Sequence, residues 1–300
     1  MSDLISVILP AYNEADCILQ TIDSVEAALK KGGLTYEIIV IDDGSTDKTS
    51  ELAAQRNVRI VRHKRNLGVG ATRKRGIREA KGEIVVTTDV DGTYPNDQIP
   101  RLVKEFQDAK ADMLVGARIG KNVVMELPHR YIPKLMIRKL ASYLSQHKIP
   151  DLNSGLRVIR KKVALKYFYL LPEGHSWEST ITLAFLCNNH EVLFTPIDYF
   201  KRGGGKSTFA PFKDTYNYIS LVIRTIMYFS PLRIFIPLSA MVISVGFIKM
   251  VYDWLVYKWI GSLDVIIVMS GIMIILVGLL ADSIVIQGKR IAALSERLDA

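Results

Sequence analysis

The stretch VIIVMSGIMIILVGLLA, residues 265–281, has no charged side chain, and this excludes most of what a soluble chain can build. A helix on the surface of a globular domain is amphipathic, whereas one that is apolar all round needs hydrocarbon or a deep core around it. The run is just long enough to cross a bilayer, and it lengthens to residue 286 if Asp282 sits at the inner interface. A second run, residues 234–248, reaches spanning length once Lys249 snorkels and Trp254, Tyr257 and Trp259 form an interfacial aromatic belt. A buried soluble hairpin is the competing reading. Uniform apolarity favours two transmembrane helices, at about 232–257 and 264–286.

Charge orients the pair. Arg224 and Arg233 precede it and Lys289, Arg290 and Arg297 follow it, while the connecting segment 258–264 has one base and one acid. The positive-inside rule then places both termini, and everything ahead of the hairpin, in the cytosol. The apolar stretch after Leu4 is only a strand's length, so no secretory signal is expected there. Cys17 and Cys187 follow no pairing or metal pattern and read as reduced thiols. A net charge of +9 suits anionic headgroups as well as nucleic acid; with two spans present, membrane lipid is the expected partner and nucleic acid is not.

Ahead of the hairpin the pattern changes. Short β-branched runs (ISVILP, YEIIVID, VRIVRH, EIVVTTD, DMLVGAR) alternate with helical periodicity near residues 14–30, 47–56, 70–80 and 97–110. Such alternation implies an α/β domain, a mostly parallel sheet with helices on both faces. At 300 residues, 49% hydrophobic and 23% charged, the chain can hold one sizeable domain of this kind beside the membrane part. Residues 125–196, with LNSGLRVIRK and a helix near 177–187, extend the same domain. The expected division is therefore a cytosolic domain at 1–208, a juxtamembrane helix at 209–230, and the hairpin with a cytosolic tail at 231–300. In the juxtamembrane helix Phe212, Tyr216, Ile219, Ile223, Ile226 and Met227 recur at helical spacing. Lys213, Asp214, Asn217 and Arg224 lie elsewhere on the wheel, so its apolar face suits the membrane surface or the neighbouring domain.

Three polar clusters follow strands of that sheet: PAYNE (10–14), DDGSTD (42–47) and DVDGTYP (89–95). In a parallel sheet such strand ends share one edge, the edge where open α/β sheets bind ligands. Each alone has an ordinary explanation, since Ser45 or Asp47 can cap a helix and Asp89 a loop. Three together mark a site. Asp89 and Asp91 repel one another and make a poor phosphate site by themselves, but they suit a hard divalent cation, Mg²⁺ or Mn²⁺, that also takes diphosphate oxygens. Such a cation offsets the charge that builds on a departing nucleoside diphosphate.

With NLGVGATRKRG (66–76), GAR (116–118) and LNSGLRVIRK (152–161), these motifs stand in the order seen in the inverting GT-A glycosyltransferases. The chain resembles the polyprenyl-phosphate hexose transferases typified by dolichyl-phosphate mannose synthase, over residues 4–208 and, with the hairpin, over nearly its whole length. The resemblance implies a GT-A fold and a membrane-bound enzyme that moves a hexose, with inversion, from a nucleotide-diphospho-sugar (UDP-glucose or GDP-mannose) to polyprenyl or dolichyl phosphate. It also implies that Pro10, Tyr12 and Glu14 line the nucleoside pocket, that Asp43 accepts a hydrogen bond from the base, and that Asp89 and Asp91 hold the metal. Thr93 stands where these synthases commonly carry glutamine, which leaves the third ligand to Thr93 or water. The NLGVGATRKRG segment is a poor dinucleotide loop, because the full G-x-G-x-x-G is absent and the glycines follow the third strand. Gly68 and Gly70 read as a tight helix entry, and Arg73 as an approach to the donor or, more simply, a solvated helix face.

On the acceptor side, the Q-x-x-R-W motif of polymerising relatives is absent. Relatives that glycosylate hydroxyls carry an acidic pair near WES (177–179), whose second acid acts as base; here Ser179 takes that place. A phosphomonoester acceptor carries about −1.5 to −2 charge at neutral pH and needs no base to become a nucleophile. Glu178 is left to orient a sugar hydroxyl or to serve the fold. The resemblance places Arg118 and Arg130 at the acceptor phosphate, and KRGGGKS (201–207) adds Arg202 and Lys206, on a hinge-like glycine loop or a basic juxtamembrane patch. Transfer to a lipid or glycan hydroxyl, and a non-catalytic membrane scaffold, are the competing functions; a homo-oligomer is left open.

Overall fold

The computed structural model describes residues 4–120, 128–174, 176–201 and 211–298. The chain packs as two units, Met1–Val222 and Ile223–Ala300. In the first, the elements follow the order β1 (Ile5–Ala11), α1 (Ile18–Lys31), β2 (Tyr36–Asp42), α2 (Thr49–Ala53), β3 (Arg59–Arg62), α3 (Val69–Glu79), β4 (Ile84–Thr87), α4 (Ile99–Asp108), β5 (Met113–Ala117), α5 (Pro128–Ser145), β6 (Arg157–Arg160), α6 (Lys161–Leu165), α7 (Trp177–Cys187) and β7 (Val192–Pro196). Helix α8 (Pro211–Phe229) runs across the division, and α9 (Leu232–Tyr257) and α10 (Ser262–Leu298) form the second unit.

The strands join one sheet in the order β3-β2-β1-β4-β6-β5-β7. Their side chains alternate between two buried faces. In β1, Ile5, Val7 and Leu9 share a core with Ile18, Ile22, Val25 and Leu29 of α1 and Leu102, Val103 and Phe106 of α4. Ile8 points the other way, where Gly76 of α3 lies against it so closely that a Cβ at 76 would overlap its side chain. Both faces are covered, which is why these strands read as continuous apolar runs rather than alternating ones.

The parallel expectation holds for β1 with β2 and β4, for β2 with β3, and for β5 with β7. Strand β6 departs from it, entering antiparallel between β4 and β5 with Thr87 and Val115 both opposite Arg157. An antiparallel strand begins at the edge where its parallel neighbours end. This brings the LNSG segment (152–155), just ahead of β6, to the edge from which the DVDGTYP loop leaves β4.

Among the described side chains of α8 the buried positions are Val222, Thr225, Ile226 and Phe229, Ile219 and Ile223 are half-buried, and Met227, placed on the apolar face by its spacing, is exposed; the side chains of Phe212, Lys213, Asp214, Tyr216 and Asn217 lie outside the described residues. At 100° per residue, 222, 225, 226 and 229 form one stripe and 227 falls on nearly the opposite side of the helix. Helices α9 and α10 are long and apolar enough to cross a membrane, and they pack on small residues. Ser239 Oγ donates to the Gly271 carbonyl at 2.8 Å, and a Cβ at Gly246 would come within 2.9 Å of Ile267 and Val268. Lys249 does not simply snorkel. Its Nζ lies 2.6 Å from Asp253 Oδ2 and 2.5 Å from Asp264 Oδ1, and Asp264 is fully buried. Its charge is met inside the hairpin, close to the turn. Helix α10 also continues to Leu298, so the segment expected as a tail extends the helix.

Candidate active site

Strands β1 and β2 stay in register to their last residues, Ala11 opposite Asp42, so the loops after them leave the sheet side by side. They are stitched together. Asn13, at φ +53°, donates its N–H to Ser45 Oγ (3.0 Å) and accepts the Thr46 N–H on Oδ1 (2.8 Å). Glu14 N–H donates to Thr49 Oγ1 (2.9 Å) and Ala15 N–H to Asp47 Oδ2 (3.2 Å). Asp42, fully buried, accepts the Ser45 N–H (2.8 Å) and the Ser50 hydroxyl (2.7 Å), with Arg62 Nε at 3.1 Å. On the same edge Tyr12 is exposed, and Pro10 and Glu14 are half-buried. A depression of about 440 Å³ lined by Gly44, Ser45, Thr46, Arg62, His63 and Lys64 lies beside them.

Asp43 has a structural part on this edge. It is buried and accepts the N–H groups of Leu67 (2.9 Å) and Gly68 (2.8 Å), with His63 Nδ1 2.7 Å from its Oδ1. The carboxylate anchors the entry to α3, where Gly68 sits at φ +97° and a Cβ would come within 2.6 Å of the Glu173 carbonyl oxygen. Two backbone N–H groups and the His63 ring thus meet this one carboxylate.

The loop after β4 carries the acidic pair. Asp91 Oδ1 accepts the Thr93 N–H (3.2 Å) and hydroxyl (2.7 Å) across a turn whose Gly92 has φ +73°. Thr93 therefore orients Asp91. Asp89, its side chain 33% exposed, accepts on Oδ1 from Arg73 Nη2 at 2.6 Å. Arg73 is not on a solvated helix face: it is 1% exposed, its Nη1 is paired with Glu178, and its guanidinium lies 5.4 Å from the centre of the Trp177 ring. From the LNSG side, Gly155 approaches so closely that a Cβ would lie 2.6 Å from Asp89 Oδ2.

Arg118, at the end of β5, forms a two-pronged pair with Asp151, Nε to Oδ2 at 2.7 Å and Nη2 to Oδ1 at 2.9 Å. It lies 5.1 Å from the Tyr199 ring centre, and Tyr199 meets Tyr94 edge to face at 5.3 Å. Burial alone would raise the Asp151 carboxyl; the charge and hydrogen bonds of Arg118 outweigh it and hold Asp151 below the usual carboxylate range. The Tyr94 hydroxyl accepts the Gly155 N–H at 2.7 Å, which ties this cluster to the acidic loop. Arg157 is fully buried and donates to the carbonyls of Ser154 (2.7 Å) and Leu152 (3.0 Å) and to Thr182 Oγ1 (2.7 Å). Burial, and then the neighbouring charge of Arg73, push its guanidinium down to about 9, so it stays charged at neutral pH.

The edge thus gathers Pro10, Tyr12, Glu14, Asp43, Asp89, Asp91 and Arg118. Arg130 falls within α5, but its side chain lies outside the described residues, as do Arg202 and Lys206. Sequence reasoning did not single out Asp151, Tyr94 or Arg157, and of its two readings of Arg73, an approach to the donor or a solvated face, burial overturns the second. One signal for Arg73 was available: 69, 73 and 76–77 form a single helical face with Ile77 and the close-packed Gly76. Glu178 and Ser179 are buried on α7, Ser179 Oγ donating to Asn153 Oδ1.

Two hard carboxylates fit a divalent cation of the Mg²⁺ or Mn²⁺ kind. Among the described residues no group of three or more acidic, histidine or cysteine side chains is placed to hold a metal. Such ions commonly take one or two protein carboxylates and fill their shell with water and substrate phosphates, which this pair allows.

A mixed, mostly parallel sheet whose acidic loops meet at one edge defines the GT-A class of nucleotide-sugar transferases. The glucosyl-3-phosphoglycerate synthase of Mycobacterium tuberculosis has this fold, with a TM-score of 0.59 at 21% identity over 75% of this chain and 80% of that one. Residues 6–168 match glycosyl transferase family 2 and residues 230–285 match the GtrB C-terminal hairpin; the chain belongs to glycosyl transferase family 2. Among its relatives, a dolichol-phosphate mannosyltransferase of Pyrococcus furiosus is 31% identical over 53% of this chain and 47% of that protein. An undecaprenyl-phosphate 4-deoxy-4-formamido-L-arabinose transferase of Edwardsiella ictaluri is 28% identical over 81% and 74%. The chain spans about half the length of several curated relatives that it matches.

Proposed function

We propose that this chain is an integral-membrane inverting glycosyltransferase that moves one hexose from a nucleoside-diphosphate sugar to polyprenyl phosphate at the cytosolic face. The observation that carries the reading is the joining, in one chain, of the family 2 domain and the GtrB-type hairpin, since an apolar anchor beside the transferase suits a lipid-borne acceptor. Relatives named for dolichol-phosphate, dodecaprenyl-phosphate and undecaprenyl-phosphate transfer support it. Structural neighbours crystallised with Mn²⁺ and UDP-glucose support a nucleotide donor.

Asp89 and Asp91 would hold Mg²⁺ or Mn²⁺, which supplies positive charge to a departing diphosphate. The rest falls to the chain. Pro10, Tyr12 and Glu14 border the donor, and Asp43 shapes the loop beside it. No base stands at residue 179, whose hydroxyl is bonded to Asn153, and Glu178 is engaged by Arg73. A phosphate dianion needs no proton removed, so orientation and charge suffice.

The test supplies membranes containing the chain with a panel of nucleotide sugars. Release of nucleoside diphosphate should depend on added polyprenyl phosphate; equal use of free polyprenol would favour the hydroxyl-acceptor reading, and no release would favour a scaffold. If Arg130 gathers the acceptor phosphate, Arg130→Ala should raise the KM for polyprenyl phosphate by about tenfold or more, as loss of a charge-assisted hydrogen bond would. The KM for the nucleotide sugar should hardly move, and equal shifts in both would remove Arg130 from the acceptor site. The positive-inside rule supports a topology with both termini in the cytosol. A cysteine introduced at position 300 should then react with an impermeant thiol reagent only after the cytosolic face is opened, and labelling from outside would refute that topology.

A further inference from the structure

We propose that Glu178 and Arg73 are a positioning pair for Asp89, through which an acid on α7 sets the charge and direction of a carboxylate at the metal site. The inference rests on the proposed function, because it assumes a divalent cation at Asp89 and Asp91. Glu178 is buried, and it pairs with Nη1 of a guanidinium that is itself 1% exposed. The other prong of that guanidinium, Nη2, reaches Asp89 Oδ1 at 2.6 Å. Trp177 holds its face, with the guanidinium carbon 5.4 Å from the ring centre. On the far side the backbone of Gly155 closes on Asp89 Oδ2, leaving no room for a Cβ. The carboxylate is clamped between a fixed cation and a backbone.

The charges along this chain of contacts alternate: Glu178 negative, Arg73 positive, Asp89 negative. A cation arriving at Asp89 is repelled by Arg73, and Glu178 screens that repulsion. Glu178 therefore acts on the metal site through Arg73, at one remove, and is not a base. The consequence has a definite sign. Removing the charge of Glu178 leaves Arg73 unscreened and should weaken cation binding; removing Arg73 as well should restore it while freeing Asp89 to turn.

The experiment titrates the full-length protein in detergent with Mn²⁺ alone, following free Mn²⁺ by electron paramagnetic resonance. Wild type, Glu178→Gln and the Arg73→Met/Glu178→Gln double variant are compared, each first shown to be folded by its melting temperature. The double variant leaves no unpaired buried charge on α7, which guards against failure to fold. Glu178→Gln should raise the Mn²⁺ Kd by about tenfold, in the range seen when a group behind a metal ligand is lost, and the double variant should recover most of that. In turnover the double variant should keep its metal affinity but lose kcat, since Asp89 is no longer held. If wild type binds Mn²⁺ and both variants bind it equally well, the inference fails and the proposed function stands. If wild type takes up no Mn²⁺, the metal in the proposed function fails, and the inference with it.

Discussion

Asp91→Asn should lower turnover by about two orders of magnitude or more, the scale on which a group stabilising charge in the transition state acts, while the protein keeps its melting temperature. The two halves of this expectation have separate causes. An asparagine retains an Oδ1, so the N–H and hydroxyl of Thr93, at 3.2 and 2.7 Å, keep their acceptor and the turn through Gly92 is preserved. The negative charge is lost. That charge is what a hard cation would require of the site proposed here, in which Asp89 and Asp91 are the carboxylates offered to it. Turnover measured with membranes and the best donor of the panel checks it. Full activity in the variant, or in wild type with excess EDTA, would remove the metal from the proposal.

Arg118→Met should be the most destabilising of the changes considered, with a loss of roughly 3–5 kcal/mol, typical of breaking one side of a buried ion pair. Asp151, at 11% side-chain exposure, would then keep its charge without its principal partner. For a unit of this size that loss corresponds to a fall in melting temperature of roughly ten degrees. Arg118→Met/Asp151→Asn should recover much of it, because the pair and its desolvation cost leave together. The dependence on pH has a fixed sign. Asp151 has a folded pKa below its ordinary 3.8, so the stability it lends is fully present above that value and fades as pH falls through the folded one. The gap between wild type and Arg118→Met should therefore be widest near neutrality and close in acid. Thermal unfolding at a series of pH values measures it, and a gap that widens in acid would contradict the pairing. The same variants address the acceptor role placed on Arg118: an unchanged melting temperature with a raised KM for polyprenyl phosphate would mean that the guanidinium serves the acceptor rather than Asp151.

Much of this protein is local in origin and was legible without coordinates. The β-branched runs and the helices between them follow from side-chain period, and helix 177–187 lies at the residues read from its sequence. The sharing of one edge by PAYNE, DDGSTD and DVDGTYP follows from the parallel direction of β1, β2 and β4, which alternation with helices already implies. The apolar hairpin follows from composition, because no arrangement of neighbours makes the charge-free run 265–281 amphipathic. Pairings between distant segments could not be read in this way. That β6 enters antiparallel, and so carries LNSG to Asp89, depends on which strands meet across the sheet, and a strand's own sequence reads nearly the same in either direction. Asp43 could be recognised as important but not as the acceptor for Leu67 and Gly68, since its donors arrive from a different loop. Arg73 and Lys249 were misjudged for a related reason: a charged side chain reads as solvated or snorkelling until its counter-charges are located, and Glu178 and Asp264 lie far along the chain or across a turn. Period and composition determine which elements form; only the tertiary structure decides which face of a helix such as α8 is covered and which charges are neutralised, because the Coulomb energy of a buried pair depends on separation in space and on the water excluded around it.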